Sequence, residues 1–323
     1  MVGSLKSVLF LQHEDALRRQ EDMARARLSA AFPGVRVACA SAPQMVPEAE
    51  FEAIITPTLP WLPEALARVR GCGWVHFLSA GVERIWEMPV DWSGLELTRS
   101  SGIHGPQMSE YAIGALLHFA KGFDRYIAQS RTRTWQRAWQ EELSGQTLMV
   151  LGGGAVGAMV GQRARVFDMR VLSVTRRAQR QDWADLTLDL ASARAHLAEV
   201  SALVVCLPLT EATRGLVDEG FLSALAPGAV LVDVSRGGVV VADAVLAQLD
   251  RGHLRGAALD VFEQEPLPAE AAVWDRPDVL VTPHVSGTSP HYMQRALQLF
   301  IDLAGARAQG RPLATLVDQT ARY

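Results

Sequence analysis

Five residues of strand character, Thr147-Leu-Met-Val-Leu151, run directly into Gly152-Gly-Gly154-Ala-Val-Gly157, and a helix-compatible stretch, Ala158 to Phe167, follows. Strand, glycine turn and helix in that order leave few folds open. The spacing is G-x-G-x-x-G. Gly152 permits a tight turn, Gly154 lets the backbone approach a diphosphate, and Gly157 lets the helix pack close to the strand. The helix N-terminus then offers free N–H groups and the positive end of its dipole to phosphate oxygens. Glycine runs this short also occur in plain turns. A second strand at the right interval, Arg170 to Thr175, favours a dinucleotide-binding βαβ unit contacted through Gly152, Gly154, Ala155, Val156 and Gly157.

At the end of that second strand a site for NAD places a carboxylate to bond the adenosine ribose 2′-hydroxyl. Here the residues are Thr175, Arg176 and Arg177, with Arg180 close behind. A carboxylate repels a 2′-phosphate, whereas a guanidinium holds one through paired, charge-assisted hydrogen bonds. NADP(H) is therefore the preferred cofactor and NAD(H) the alternative. The competing reading is that these arginines form a solvated face.

The rest of the chain alternates short β-branched runs with amphipathic stretches, the pattern of parallel α/β sheets. Strands are expected at Ser7 to Gln12, Val35 to Ala40, Phe51 to Thr56, Gly73 to Leu78 and Leu95 to Ser100, with helices at Asp15 to Ala31 and Leu62 to Arg70. A long helix is expected from Pro106 to about Ser130. Beyond the glycine turn, further strands are expected at Ala202 to Leu207, Ala229 to Ser235, Gly256 to Phe262 and Val279 to Thr282, giving five or six there, and a final helix at Pro290 to Ala308.

Composition narrows the function. The 323 residues are 49% hydrophobic, enough for two domains with substantial cores, and the net charge of −4 lacks the basic excess that nucleic-acid backbones require. Three cysteines, Cys39, Cys72 and Cys206, are far apart and odd in number, which argues against a disulfide framework and for a reducing compartment, the cytoplasm. No apolar run is long enough to span a membrane, and Val8 to Leu11 is too short for a secretory signal. The eight histidines show no metal-ligand spacing, so no metal is expected, and the zinc-peptidase, α/β-hydrolase and P-loop motifs are absent.

Three polar segments follow predicted strands, where open α/β sheets bind ligands. Val232-Asp-Val-Ser-Arg236-Gly-Gly carries a cation, Ala258-Leu-Asp260-Val-Phe-Glu-Gln-Glu265-Pro carries carboxylates, and Val281-Thr-Pro-His284 carries an imidazole. Reduction of a 2-keto acid needs a hydride source, a positive group for carbonyl and carboxylate, and a proton for the developing alkoxide. An imidazole with a carboxylate beside it keeps such a proton available near neutral pH. Taken singly, each of the three residues also fits a structural or solvated role.

These segments, together with Leu207-Pro-Leu-Thr210, Thr213-Arg-Gly215 and Gly252 to Pro268, resemble in order and spacing the D-isomer-specific 2-hydroxyacid dehydrogenases over nearly the whole chain. Trp86-Glu-Met-Pro89, Gln107-Met-Ser-Glu-Tyr111 and the ending Val317 to Tyr323 are similar to the glyoxylate/hydroxypyruvate reductase A type. The resemblance implies two doubly wound parallel-sheet domains. One is a Rossmann NAD(P)-binding domain at 103–290; it is inserted into a flavodoxin-like substrate domain formed by 1–102 and 291–323, which clamps onto it, and the helix after Gly105 contributes to a homodimer. His284 becomes the acid/base, Glu265 its orienting carboxylate, and Arg236 the group that binds substrate and polarises its carbonyl. The backbone of Ser79, Ala80 and Gly81 becomes the loop holding the substrate carboxylate. Leu207, Pro208 and Val234 become cofactor contacts, and Asp260 lies near the nicotinamide.

Thr56 stands near where such reductases are expected to carry a tryptophan, which implies a smaller or more polar pocket wall and leaves the substrate open among glyoxylate, hydroxypyruvate and bulkier 2-keto acids. Other readings are another D-2-hydroxyacid dehydrogenase and a dinucleotide-sensing interaction protein, since the C-terminal-binding corepressors resemble the same fold. Turnover of 2-keto acids separates an enzyme from such a scaffold.

Overall fold

The computed structural model describes residues 5–320. The fold is α/β with two parallel sheets, each in its own compact unit: one runs to Ile103 and resumes at Ser289, and the other is His104–Thr288.

The first unit holds β1 (Ser7–Leu11), α1 (Glu14–Ala31), β2 (Arg36–Ala40), β3 (Ala53–Thr56), α2 (Leu62–Arg68), β4 (Trp74–Phe77) and β5 (Glu96–Arg99). The order is β2-β1-β3-β4-β5 and every pairing is parallel. Covered on both faces, a parallel strand reads as an unbroken apolar run, and all five residues of β1 are buried. The charged exterior of α1 leaves Leu17, Ala24 and Leu28 for the core, a helical spacing of seven and four.

The second unit begins with α3 (Gly105–Ala120) and α4 (Phe123–Arg131). The single long helix expected from Pro106 to Ser130 is thus two, because Gly122 takes a left-handed φ of 61° between them. Then come β6 (Thr147–Leu151), α5 (Ala155–Val166), β7 (Arg170–Val174), β8 (Leu186–Leu188), α6 (Leu190–Ala193), β9 (Ala202–Val205), α7 (Glu219–Ser223), β10 (Ala229–Asp233), α8 (Ala242–Asp250), β11 (Leu254–Leu259) and β12 (Val279–Val281). Their order, β12-β11-β10-β9-β6-β7-β8, reverses direction between β6 and β9. A ligand in such a sheet sits outside the strand carboxyl ends at that reversal. The sheet has seven strands rather than five or six; β8, only three residues long, is the addition.

The chain returns to the first unit as α9 (Tyr292–Ala308), whose Met293, Leu297 and Phe300 share one core with Leu17 and Leu28. Phe300 stacks on Trp74 with ring centroids 4.5 Å apart. Thr56 does not form an open pocket wall: it is fully buried and its hydroxyl donates to the Pro57 carbonyl at 2.7 Å. Residues 321–323, part of the ending that resembles the reductase A type, lie outside the described residues.

Candidate active site

Every candidate residue of the second unit lies at or just beyond the carboxyl end of a strand in one parallel sheet, so all share one sheet edge. Gly152 to Gly157 follow β6, Thr175 to Arg177 follow β7, and Leu207 and Pro208 follow β9. Val234 and Arg236 follow β10, Asp260 and Glu265 follow β11, and His284 follows β12.

The glycine turn fits a dinucleotide. Gly152 has a φ of 115°, and a Cβ there would lie 2.8 Å from the Cys206 carbonyl oxygen. A Cβ at Gly157 would overlap the Gly152 carbonyl oxygen, and one at Gly153 would overlap Thr175 Cγ2. Gly154, by contrast, faces open space, and the first turn of α5 carries no acidic side chain. A turn packed tightly on its inner side and open at Gly154 leaves room for a diphosphate against helix N–H groups. Beyond β7, Arg176 and Arg177 are exposed, and neither is ion-paired among the described residues. Thr175 is half-buried: its hydroxyl is buried without a partner and its Cγ2 lies against Gly153.

His284 and Glu265 meet. Nδ1 of the imidazole lies 2.8 Å from Glu265 Oε2, while Oε1 accepts the Phe262 N–H at 3.0 Å. Burial pushes the Glu265 carboxyl up, but the bonds from His284 and Phe262 and the charges of His284 and Arg236 outweigh it, and the net shift is downward. An ionised carboxylate only accepts, so Nδ1 carries the shared proton and Nε2 is the ring atom left for proton exchange. Arg236 is half-buried and donates from Nη1 to its neighbour's Ser235 carbonyl at 2.9 Å.

The His284 backbone is strained, with a φ of 54°, a region non-glycine residues seldom occupy. Its N–H donates to the Asp260 and Thr282 carbonyls at 2.9 and 3.1 Å. The Asp260 carboxylate fixes the same loop: Oδ1 accepts the Thr282 hydroxyl at 2.6 Å and the Val285 N–H at 2.8 Å, and Oδ2 accepts the Ser286 N–H at 2.9 Å. The side chain is fully buried. Three donors of the His284 loop thus meet its oxygens, so Asp260 fixes that loop in place. Val234 is buried in the core as well, its N–H on the Val205 carbonyl, whereas Leu207 is half-buried and Pro208 exposed.

Several contributors stand in motifs quoted from the sequence, but without the roles the structure gives them. Gly237 lies so close to the next loop that a Cβ would overlap the Phe262 carbonyl, which brings the segments carrying Arg236 and Glu265 together. The second residue of Arg-Gly-Gly was the available signal. From α3, Tyr111 bonds the Thr282 hydroxyl at 2.7 Å and Gln107 donates to the Gly287 carbonyl at 3.0 Å, so one helix face grips the His284 loop at two points.

Asp233, at the end of β10, accepts the Ser235 hydroxyl and N–H at 2.5 and 3.0 Å. Burial drives its carboxyl up to about 7, opposed by the Ser235 bonds and reinforced by the charge of Asp260. Because the folded-state value is raised, ionisation costs stability above about pH 7, and the cost fades as pH falls toward the unfolded carboxylate range. Asp233→Asn should therefore gain on the order of 2–4 kcal/mol over the parent at pH 8 and nothing at pH 4 in urea unfolding. An equal offset at both pH values would contradict this.

In the first unit, Ser79, Ala80 and Gly81 follow β4 as an irregular loop. Beneath it His76 is fully buried, bonded to Thr98 and Ser100 at 2.8 and 3.0 Å, and burial holds its pKa down at about 3.

Comparison with known families matches residues 113–286 to the D-isomer specific 2-hydroxyacid dehydrogenase, NAD binding domain. The chain belongs to the D-isomer-specific 2-hydroxyacid dehydrogenases. It is thus an oxidoreductase of a family that works on 2-hydroxy and 2-keto acids with a nicotinamide cofactor. Among solved structures, a family protein from Aeromonas salmonicida subsp. salmonicida A449 is 29% identical, with a TM-score of 0.85 over 98% of this chain and 99% of that one. An NADPH-dependent glyoxylate/hydroxypyruvate reductase from Sinorhizobium meliloti, in complex with NADP and sulfate, is 26% identical, with a TM-score of 0.83 over 98% and 100%. A D-isomer specific 2-hydroxyacid dehydrogenase from Xanthobacter autotrophicus Py2, in complex with NADPH and MES, is 26% identical, with a TM-score of 0.84 over 99% and 100%. No helix among the described residues is long and apolar enough to cross a membrane.

Proposed function

We propose that the protein reduces small 2-keto acids with NADPH, glyoxylate to glycolate and hydroxypyruvate to D-glycerate. The observation that carries this reading is the His284–Glu265 pair at 2.8 Å with Arg236 acting on the same carboxylate. In this reading the dinucleotide lies along Gly152, Gly154, Ala155, Val156 and Gly157, with Leu207, Pro208 and Val234 beside it, and supplies the hydride. Arg236 polarises the substrate carbonyl, the N–H groups of the Ser79–Gly81 loop hold the substrate carboxylate, and His284 Nε2 gives the proton that quenches the alkoxide. Glu265 keeps the ring oriented through its bond to Nδ1. The 103–290 segment serves as the cofactor domain, and 1–102 with 291–323 as the substrate domain.

The preference for NADPH rests on Arg176 and Arg177, exposed where relatives using NAD carry an acid. Arg176→Ala is expected to raise the NADPH KM about tenfold while leaving NADH kinetics within about twofold. Equal effects on both cofactors would remove the assignment. The reading extends to a homodimer in the cytoplasm; Phe123, Ile127, Trp135 and Trp139 offer exposed apolar surface for a second copy, and all three cysteines are free.

The deciding experiment follows NADPH and NADH oxidation with glyoxylate, hydroxypyruvate, pyruvate and phenylpyruvate. Rapid turnover of glyoxylate and hydroxypyruvate with NADPH is the expected result. Preference for phenylpyruvate would move the protein to a bulkier D-2-hydroxyacid dehydrogenase, and tight cofactor binding without turnover would favour the sensing scaffold.

A further inference from the structure

We propose that Arg99 is a positioning residue for the substrate carboxylate, acting through the peptide that follows Ala80; the proposal rests on the 2-keto acid reading. Three consecutive carbonyls of the loop after β4 are tied down within the first unit. The Ser79 carbonyl accepts the Ser100 N–H at 3.0 Å, the Ala80 carbonyl accepts Arg99 Nη1 at 2.9 Å, and the Gly81 carbonyl accepts the Ser79 hydroxyl at 2.7 Å. In a trans peptide the C=O and the following N–H point in opposite directions. Fixing these carbonyls therefore turns the N–H groups of Ala80, Gly81 and Val82 the other way, and none of the three has an acceptor among the described residues. Successive N–H groups oriented in this manner form a receptor for an anion.

Arg99 holds the middle peptide of the three and adds a fixed positive charge. It pairs with no carboxylate among the described residues. Its own backbone is fixed in β5 by the Thr315 carbonyl at 3.1 Å, and its Nε is buried without a partner, so the guanidinium is spent on Ala80 alone. The strand ends beneath are rigid: His76 bridges Thr98 and Ser100, and Tyr292 donates to the Leu78 carbonyl at 2.6 Å. A neutral side chain at position 99 would free the Ala80 peptide to rotate and would remove the charge behind the receptor.

The test compares the parent with Arg99→Met and Arg99→Lys, reading the glyoxylate KM, the inhibition constant of oxalate, kcat at saturation and NADPH affinity. Arg99→Met should raise the KM and the oxalate constant together, about ten- to hundredfold, with kcat lowered less than about threefold and NADPH affinity kept. Arg99→Lys, which retains the charge and one donor, should recover most of the loss. If the Met variant does not bind NADPH, the Lys variant carries the test, with a smaller parallel rise in both constants. An unchanged KM, or a fall in kcat at unchanged KM, overturns the proposal in a protein that is otherwise active. A parent that turns over no 2-keto acid removes the underlying reading and the proposal with it.

Discussion

His284→Asn should lower kcat for glyoxylate reduction by about three orders of magnitude while NADPH affinity stays within about twofold, the size of effect expected when a general acid is lost. Asparagine is chosen over alanine because His284 has a φ of 54°, a conformation asparagine tolerates better than most residues. The loop remains anchored in the variant: its N–H still meets the Asp260 carbonyl, and the Asp260 carboxylate still accepts Thr282, Val285 and Ser286. What disappears is the ring, and with it both the proton at Nε2 and the bond to Glu265. Retention of more than a tenth of the turnover would remove His284 from the acid role. A parallel loss of cofactor affinity would point instead to collapse of the loop.

A single methyl group at Gly237 should be almost as damaging. The atoms it would meet are the Phe262 carbonyl and the Glu263 backbone nitrogen, neither of which swings aside as a flexible side chain does. Either the Arg236 segment or the Phe262 segment must move, and Phe262 also supplies the N–H that holds Glu265 Oε1. Gly237→Ala should therefore reduce kcat/KM by about a hundredfold or more and lower the melting temperature by several degrees, with overpacking costing about 1–3 kcal/mol. Near-parental kinetics would mean that the two segments separate without consequence.

The strands were legible because parallel sheets covered on both faces write themselves as apolar runs: Thr147–Leu151 and Ala202–Val205 are nearly all aliphatic. Leu186-Thr-Leu188 was not, since three residues hold too little periodicity to rise above the polar segment around them. Gly122 broke the long helix at a position where apolar periodicity alone runs on. At the candidate site, the sheet edge was readable from strand order, but the direction of each side chain was not. Asp260, one residue past β11, is buried with its carboxylate bonded to the His284 loop, a direction that strand order alone does not give. The Thr175 hydroxyl is buried, while Arg176 and Arg177 stand outside.

The return of the chain to its first unit as α9 has a bearing on biosynthesis. Phe300, Leu297 and Met293 complete a core whose other members, Phe10, Leu17 and Leu28, left the ribosome nearly the whole chain earlier. The inserted unit, His104–Thr288, has all its partners in hand before those residues are made. During vectorial synthesis the earlier sheet must wait, with the face that Phe300 will cover still exposed, while the glycine turn and the His284 loop can already assemble.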